Sequence, residues 1–197
     1  MDLSRLTEQS QEALRRAQAL ALRRNHQGID TPHLLAALLE EAEGLPAGIL
    51  AAAGIAPSAV RERVEQELNR MPQVSGPGTE AQQVYFTQRL ARLLTQAEDE
   101  AKAIKDEYVS VEHLLLAMLD DDRDAVSRLL RAVGLTRERL MVAIKRVRGS
   151  QRVTAPNPEA TYQALERYGR ATGARAGGRR TNAQRAGRHA AAQRRSR

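Results

Sequence analysis

The sequence predicts an all-α fold of two pseudo-symmetric four-helix repeats followed by a disordered basic tail. Three observations carry that prediction. Apolar residues through residues 1–148 recur at helical rather than alternating spacing. The stretch "TPHLLAALLE" at 31–40 returns as "VEHLLLAMLD" at 111–120, 80 residues later. That offset then holds from about residue 13 to 65 without an insertion. Leu14 falls on Leu94, Ala17 on Ala97, His33 on His113, Ile49 and Leu50 on Leu129 and Leu130, Gly54 on Gly134, and Val60 and Val64 on Leu140 and Ile144. Unrelated amphipathic helices do not share one register over such a length, so one structural unit has been used twice.

Residues 1–70 form the first repeat. Its first helix places Leu6, Ala13, Leu14, Ala17, Leu20 and Ala21 on one stripe, with Arg15, Arg16, Arg23 and Arg24 outside it. Thr7 is the expected N-cap, with Glu8 next to it where the helix dipole favours an acid. "GID" breaks the chain, and Asp30 caps the second helix with Pro32 in its first turn, where proline loses no helical hydrogen bond. A short third helix ends at Gly54, a residue suited to the left-handed C′ position, and a fourth runs to about residue 70. Residues 71–80, "MPQVSGPGTE", hold two prolines and two glycines and read as a loop. Residues 81–148 repeat the pattern, with Ser110 and Glu112 opening the second helix and Gly134 ending the third. Residues 149–170 form a linker with one more short helix, in which Tyr162 and Leu165 share a face. β-Branched residues are few and do not alternate, so no sheet is expected.

Composition narrows the function. With no cysteine, disulfides and thiolate metal sites are excluded, which fits a reducing, cytoplasmic setting. No apolar run reaches the length of a membrane span, and the N-terminus has no signal-peptide core. The net charge of +7 belongs to the tail: residues 170–197 hold nine arginines and no acid, so residues 1–169 are slightly acidic. Residues 171–197, rich in Arg, Ala and Gly and without an aromatic, are expected to be disordered and to meet polyanions non-specifically through charge.

Four segments carry a resemblance: "LTEQSQEALRRAQALALRRNHQGIDTPHLLAALL", "LNRMPQV", "DEYVSVEHLLLAML" and "NPEATYQALERYGR". Together they resemble the N-terminal domain of the bacterial ClpB-type disaggregases, nearly continuously over residues 1–170. The resemblance implies a double-repeat, all-α domain that contacts unfolded or aggregated polypeptide and passes it to an ATPase ring. It stops at Arg170, and nothing in the chain satisfies the phosphate-loop pattern G-x-x-x-x-G-K-[ST]. No ATPase activity and no cofactor are therefore expected. The compositional break after Arg170 is what a truncated or frame-shifted gene would give.

No catalytic or metal constellation is evident. His26, His33, His113 and His189 form no i, i+4 pair, and His33 and His113 read as structural. The acidic run "DDDRD" at 120–124 lacks an EF-hand's spacing and reads as a solvated turn. The family resemblance aligns Thr7, Asp106 and Glu112 with positions tied to substrate handling. Two roles are open to them: acceptors for an extended peptide, or helix caps and dipole partners. Tyr85, Phe86, Leu90 and Leu93 follow the inter-repeat loop as groove-lining candidates, with Leu90 and Leu93 read as core. Three functions follow: a non-catalytic polypeptide-binding domain, a regulatory adaptor for a Clp ATPase or other folded partner, or nucleic-acid binding by the tail.

Overall fold

A computed structural model describes residues 3–74, 84–149 and 151–158. The expected short helix after residue 158 and the basic tail, 171–197, lie outside the described residues. After one 3₁₀ turn at Leu3–Arg5, the first repeat comprises α1 (Glu8–Arg23), α2 (Thr31–Leu38), α3 (Leu45–Ala52) and α4 (Pro57–Arg70). The second comprises α5 (Gln88–Ala103), α6 (Val111–Ala117), α7 (Ala125–Ala132) and α8 (Arg137–Arg148). Among the described residues no helix is long and apolar enough to cross a membrane.

The helix ends follow local chemistry. Thr7 and Thr87 accept the backbone N–H of Ser10 (3.3 Å) and Leu90 (3.2 Å), capping α1 and α5 at equivalent positions. Gly54 and Gly134 have φ of +78° and +85°. There the N–H groups of Ile55 and Leu135 reach back to the carbonyls of Leu50 and Leu130 (2.9 and 3.0 Å), closing a Schellman turn in each repeat. The ends of α1 and α5 use the same turn with costlier residues, Asn25 (φ 55°) and Lys105 (φ 62°).

The repeats pack by exchange. α3 lies on α8 and α4 on α7, while α2 meets α7 and α3 meets α6, each contact the pseudo-two-fold image of another. The shared core includes Leu34, Leu35, Leu50, Leu68, Leu114, Leu115 and Leu130, all fully buried, each contributing about 1.5–3 kcal/mol of apolar burial. Leu90 and Leu93 join it, as their spacing suggests.

The expectation of no sheet fails over two short segments. β1 (Gly28–Ile29) pairs in parallel with β2 (Tyr85–Phe86), and a single parallel bridge joins Leu6 to Val109. The 80-residue offset carries Leu6 onto Phe86 and Ile29 onto Val109, so these are two copies of one junction. In each, the lead-in of one repeat pairs with the turn between the first two helices of the other. Residues entering an N-cap have backbone groups that no helix satisfies, and a neighbouring turn satisfies them. Two residues are too few to leave an alternating pattern.

Candidate functional site

The turn between α5 and α6 aims a carboxylate inward. Lys105 in the left-handed region lets the Asp106 N–H return to the Ala101 carbonyl at 2.8 Å, and the Asp106 side chain enters the interior. Three residues into α6, His113 Nδ1 accepts the Ser110 N–H at 2.9 Å. The ring proton therefore sits on Nε2, which faces Asp106 Oδ2 at 3.1 Å. Arg148, from the last turn of α8, meets both oxygens of Asp106, Nη2 on Oδ1 at 2.7 Å and Nη1 on Oδ2 at 2.6 Å. The Val153 N–H adds a bond to Oδ1 at 2.9 Å. Burial alone would push the Asp106 carboxyl up; the bonds from His113, Arg148 and Val153 outweigh it and hold it down at about 2.

Glu112 completes the cluster in a different way. Its side chain is 1 % exposed, and neither carboxylate oxygen has a hydrogen-bond partner. Arg148 Nη1 lies 3.6 Å from Oε1, so one guanidinium serves two buried carboxylates. Thr7 is fully buried as well: besides accepting from Ser10 its hydroxyl donates to Ser10 Oγ at 3.1 Å, and its N–H reaches the Val109 carbonyl at 3.0 Å. The structure thus gathers Thr7, Asp106 and Glu112 around the Leu6–Val109 junction, but turned inward.

Tyr85 and Phe86 belong to the other copy of that junction. They are 61 % and 40 % exposed, on backbone paired to Gly28–Ile29. The pairing is tight at Gly28, where a Cβ would lie 3.0 Å from Thr87 Cγ2 and the threonine side chain would have to give way. Of the five residues singled out in the sequence, three lie buried at one junction and two exposed at its pseudo-symmetric image. His113, Arg148 and Val153 were missed as members of the cluster. The signal for His113 was present, because Asp106 and His26 each stand seven residues before a histidine. Arg148 gave none: its equivalent in the first repeat is the core residue Leu68.

Two clefts obey the same symmetry. One, of about 100 Å³, has Glu12, Ala13, Leu38 and Pro46 in its wall and is closed by Val111 from the other repeat. Its image, of about 260 Å³, uses Arg92, Leu93, Met118 and Asp124 and is closed by Thr31. Three acids of the 120–124 run face solvent, but Asp124 is buried. It caps α7 by accepting the Val126 N–H (2.7 Å) and accepts the Thr31 hydroxyl (2.9 and 3.0 Å), tying the repeats together. Among the described residues no group of three or more acids and histidines is placed to hold a metal ion.

What these features define is a duplicated helical module whose two halves share one backbone plan and differ in the side chains at its junctions. Residues 5–133 match the model of the Clp repeat (R) N-terminal domain, and the chain belongs to that family. It is 44 % identical over 171 residues to the chaperone protein ClpB of Nitratidesulfovibrio vulgaris, a match covering 86 % of this chain and 20 % of that protein. The chain therefore spans about a fifth of the length of such relatives. The Hsp104 N-terminal domain from Candida albicans shares the fold with a TM-score of 0.68 at 20 % identity, covering 78 % of this chain and 98 % of that one. A ClpV N-domain solved in complex with a VipB peptide shares it with a TM-score of 0.53 at 21 % identity, over 72 % and 86 % of the two chains.

Proposed function

We propose that this chain is the non-catalytic polypeptide-binding domain of a ClpB-type disaggregase and contacts unfolded or aggregated proteins. The observation that carries the reading is the exposed Tyr85–Phe86 pair, two adjacent aromatics held on extended backbone at a junction between the repeats. Neighbouring aromatics on a rigid frame offer apolar contact at little entropic cost and with little sequence specificity, which suits a receptor for unfolded chains. In this reading Tyr85 and Phe86 touch the client, while Thr7, Asp106 and Glu112 serve the binding surface around the Leu6–Val109 junction.

The test is fluorescence anisotropy with a labelled, permanently unfolded protein such as reduced, carboxymethylated lactalbumin. Replacing Tyr85 and Phe86 together by serine should weaken binding at least about fivefold and leave the melting curve nearly unchanged, since exposed side chains contribute little to stability. Unaltered affinity would remove the aromatic pair from the site.

A second reading is favoured by the larger cleft at Arg92, Leu93 and Met118, whose mixed charged and apolar wall suits a folded partner or a helix of one. Tight binding of a folded Clp ATPase, with no affinity for the unfolded protein, would select that adaptor role.

A further inference from the structure

Residues 151–158, beyond α8, cross the Leu6–Val109 junction as a strap. It turns at Thr154, whose N–H donates to the Arg152 carbonyl at 3.1 Å, and bends at Ala155 and Pro156. Val153 is fully buried, while its neighbours Arg152, Thr154 and Ala155 are exposed. The rest of the attachment is largely backbone. The Val153 N–H donates to Asp106 Oδ1 at 2.9 Å, and its carbonyl accepts the N–H groups of Glu107 (2.9 Å) and Tyr108 (3.3 Å). Three residues on, the Pro156 carbonyl accepts the Glu8 N–H at the start of α1 at 2.8 Å. Asn157 Nδ2 then donates to the Glu8 carboxylate at 2.9 Å. This is how a receptor grips a peptide of loosely defined sequence: main-chain bonds along its length and a few buried side chains, here Val153 and Pro158.

We propose that the surface beneath the strap is a peptide site, that residues 151–158 are its resident occupant in cis, and that a client segment with a small aliphatic residue displaces them. This rests on the polypeptide-binding reading above and gives that reading a second contact and a control. Glu112 supports it independently. Its buried carboxylate has the Arg148 guanidinium at 3.6 Å but accepts no hydrogen bond, so it can still take one from an incoming N–H. With the strap lifted, Asp106 keeps His113 and Arg148, so the cluster stays formed. The N–H groups of Glu8, Glu107 and Tyr108 then face the client. A tethered occupant anchored by two buried side chains, Val153 and Pro158, opens locally without global unfolding, and competes at the high effective concentration that tethering confers. Client affinity is lowered by the fraction of molecules in which the strap is docked.

The chain has no cysteine, so a latch can be added cleanly. Glu8→Cys and Asn157→Cys, joined by a short bismaleimide, hold the strap down. The same variant capped with N-ethylmaleimide is the open control. The probe is the unfolded lactalbumin used above. Cross-linking should weaken its binding about tenfold relative to the capped control, and Val153→Ser, which weakens the anchor, should strengthen it about threefold relative to the unaltered chain. Equal affinity of cross-linked and capped forms, with the unaltered chain binding normally, overturns the strap proposal and leaves the polypeptide-binding function standing. If the unaltered chain does not bind the unfolded protein, both fall. Should Val153→Ser fail to fold, the cross-linked pair decides alone.

Discussion

The two junctions are built on one backbone and set different groups opposite an equivalent histidine. In each, a left-handed residue ends the first helix, the next residue turns inward, and a histidine three residues into the following helix accepts the cap's own N–H. His33 Nδ1 takes the Asp30 N–H at 3.0 Å as His113 takes that of Ser110. What faces the histidine differs. In the second repeat it is Asp106, met by Arg148 and by the strap. In the first it is His26, whose Nδ1 lies 2.8 Å from His33 Nε2. His33 must donate that bond, so His26 carries its proton on Nε2, which is buried without a partner. Duplication preserved the turn geometry, which local residues determine, and left the buried partner free to diverge. Opposite its histidine, the second copy carries an ionic cluster beneath a strap and the first a second imidazole. The ion pair of that first copy sits at the cap instead, where Arg89 meets buried Asp30.

The comparison can be broken most forcefully at Arg148. Arg148→Ala leaves two buried carboxylates without their cation and should cost about 3–5 kcal/mol in urea unfolding. A loss below about 1 kcal/mol would mean the second junction does not depend on its ion pairs.

Acid separates the junctions next. Burial, then the neighbouring His26, hold the His33 imidazole down at about 4, with Asp30 pulling the other way, and burial and Arg24 lower His26. The unfolded chain takes up these protons near the ordinary imidazole value of about 6.5, before the folded one does, so stability falls as pH drops from there towards 4. Asp106 behaves as a depressed carboxyl: its contribution is complete above its unfolded value and lost only as pH falls towards about 2. Unfolding free energies measured from pH 7 to 2 should show those two windows. Stability that stays flat from 6.5 to 4 would refute the imidazole pair as the acid-sensitive element.

Smaller substitutions sharpen the symmetry. Gly54→Ala and Gly134→Ala should each cost about 1 kcal/mol, and nearly equally, because both glycines sit at the same left-handed turn. Thermal melts differing widely between the two would show that the turns are not equivalent. Least of all, Lys105→Gly should stabilise by a few tenths of a kcal/mol and Asn25→Gly by less, since asparagine already tolerates that conformation.

Much of the frame was legible from adjacent residues. The capping bonds of Thr7 and Asp30 and the turns at Gly54 and Gly134 are made within five positions of those residues, and Leu90 and Leu93 follow helical period into the core. The site was less legible. A residue in a helix's first turn is exposed unless something lands on it, and Glu112 is buried with Arg148, 36 positions along, as its counter-charge. Asp124 looked like one more solvated acid, yet its partner Thr31 lies 93 residues away. The two-residue strands escaped for want of length.

The sequence by itself determined the duplicated helical plan, the helix ends and the family, because periodicity, caps and a constant offset are short-range signals repeated many times. Only the tertiary structure decided that Thr7, Asp106 and Glu112 face inward while Tyr85 and Phe86 face out, and that residues 151–158 lie across the junction. Burial and charge pairing depend on which distant segments meet, and a single chain's local pattern carries no record of that.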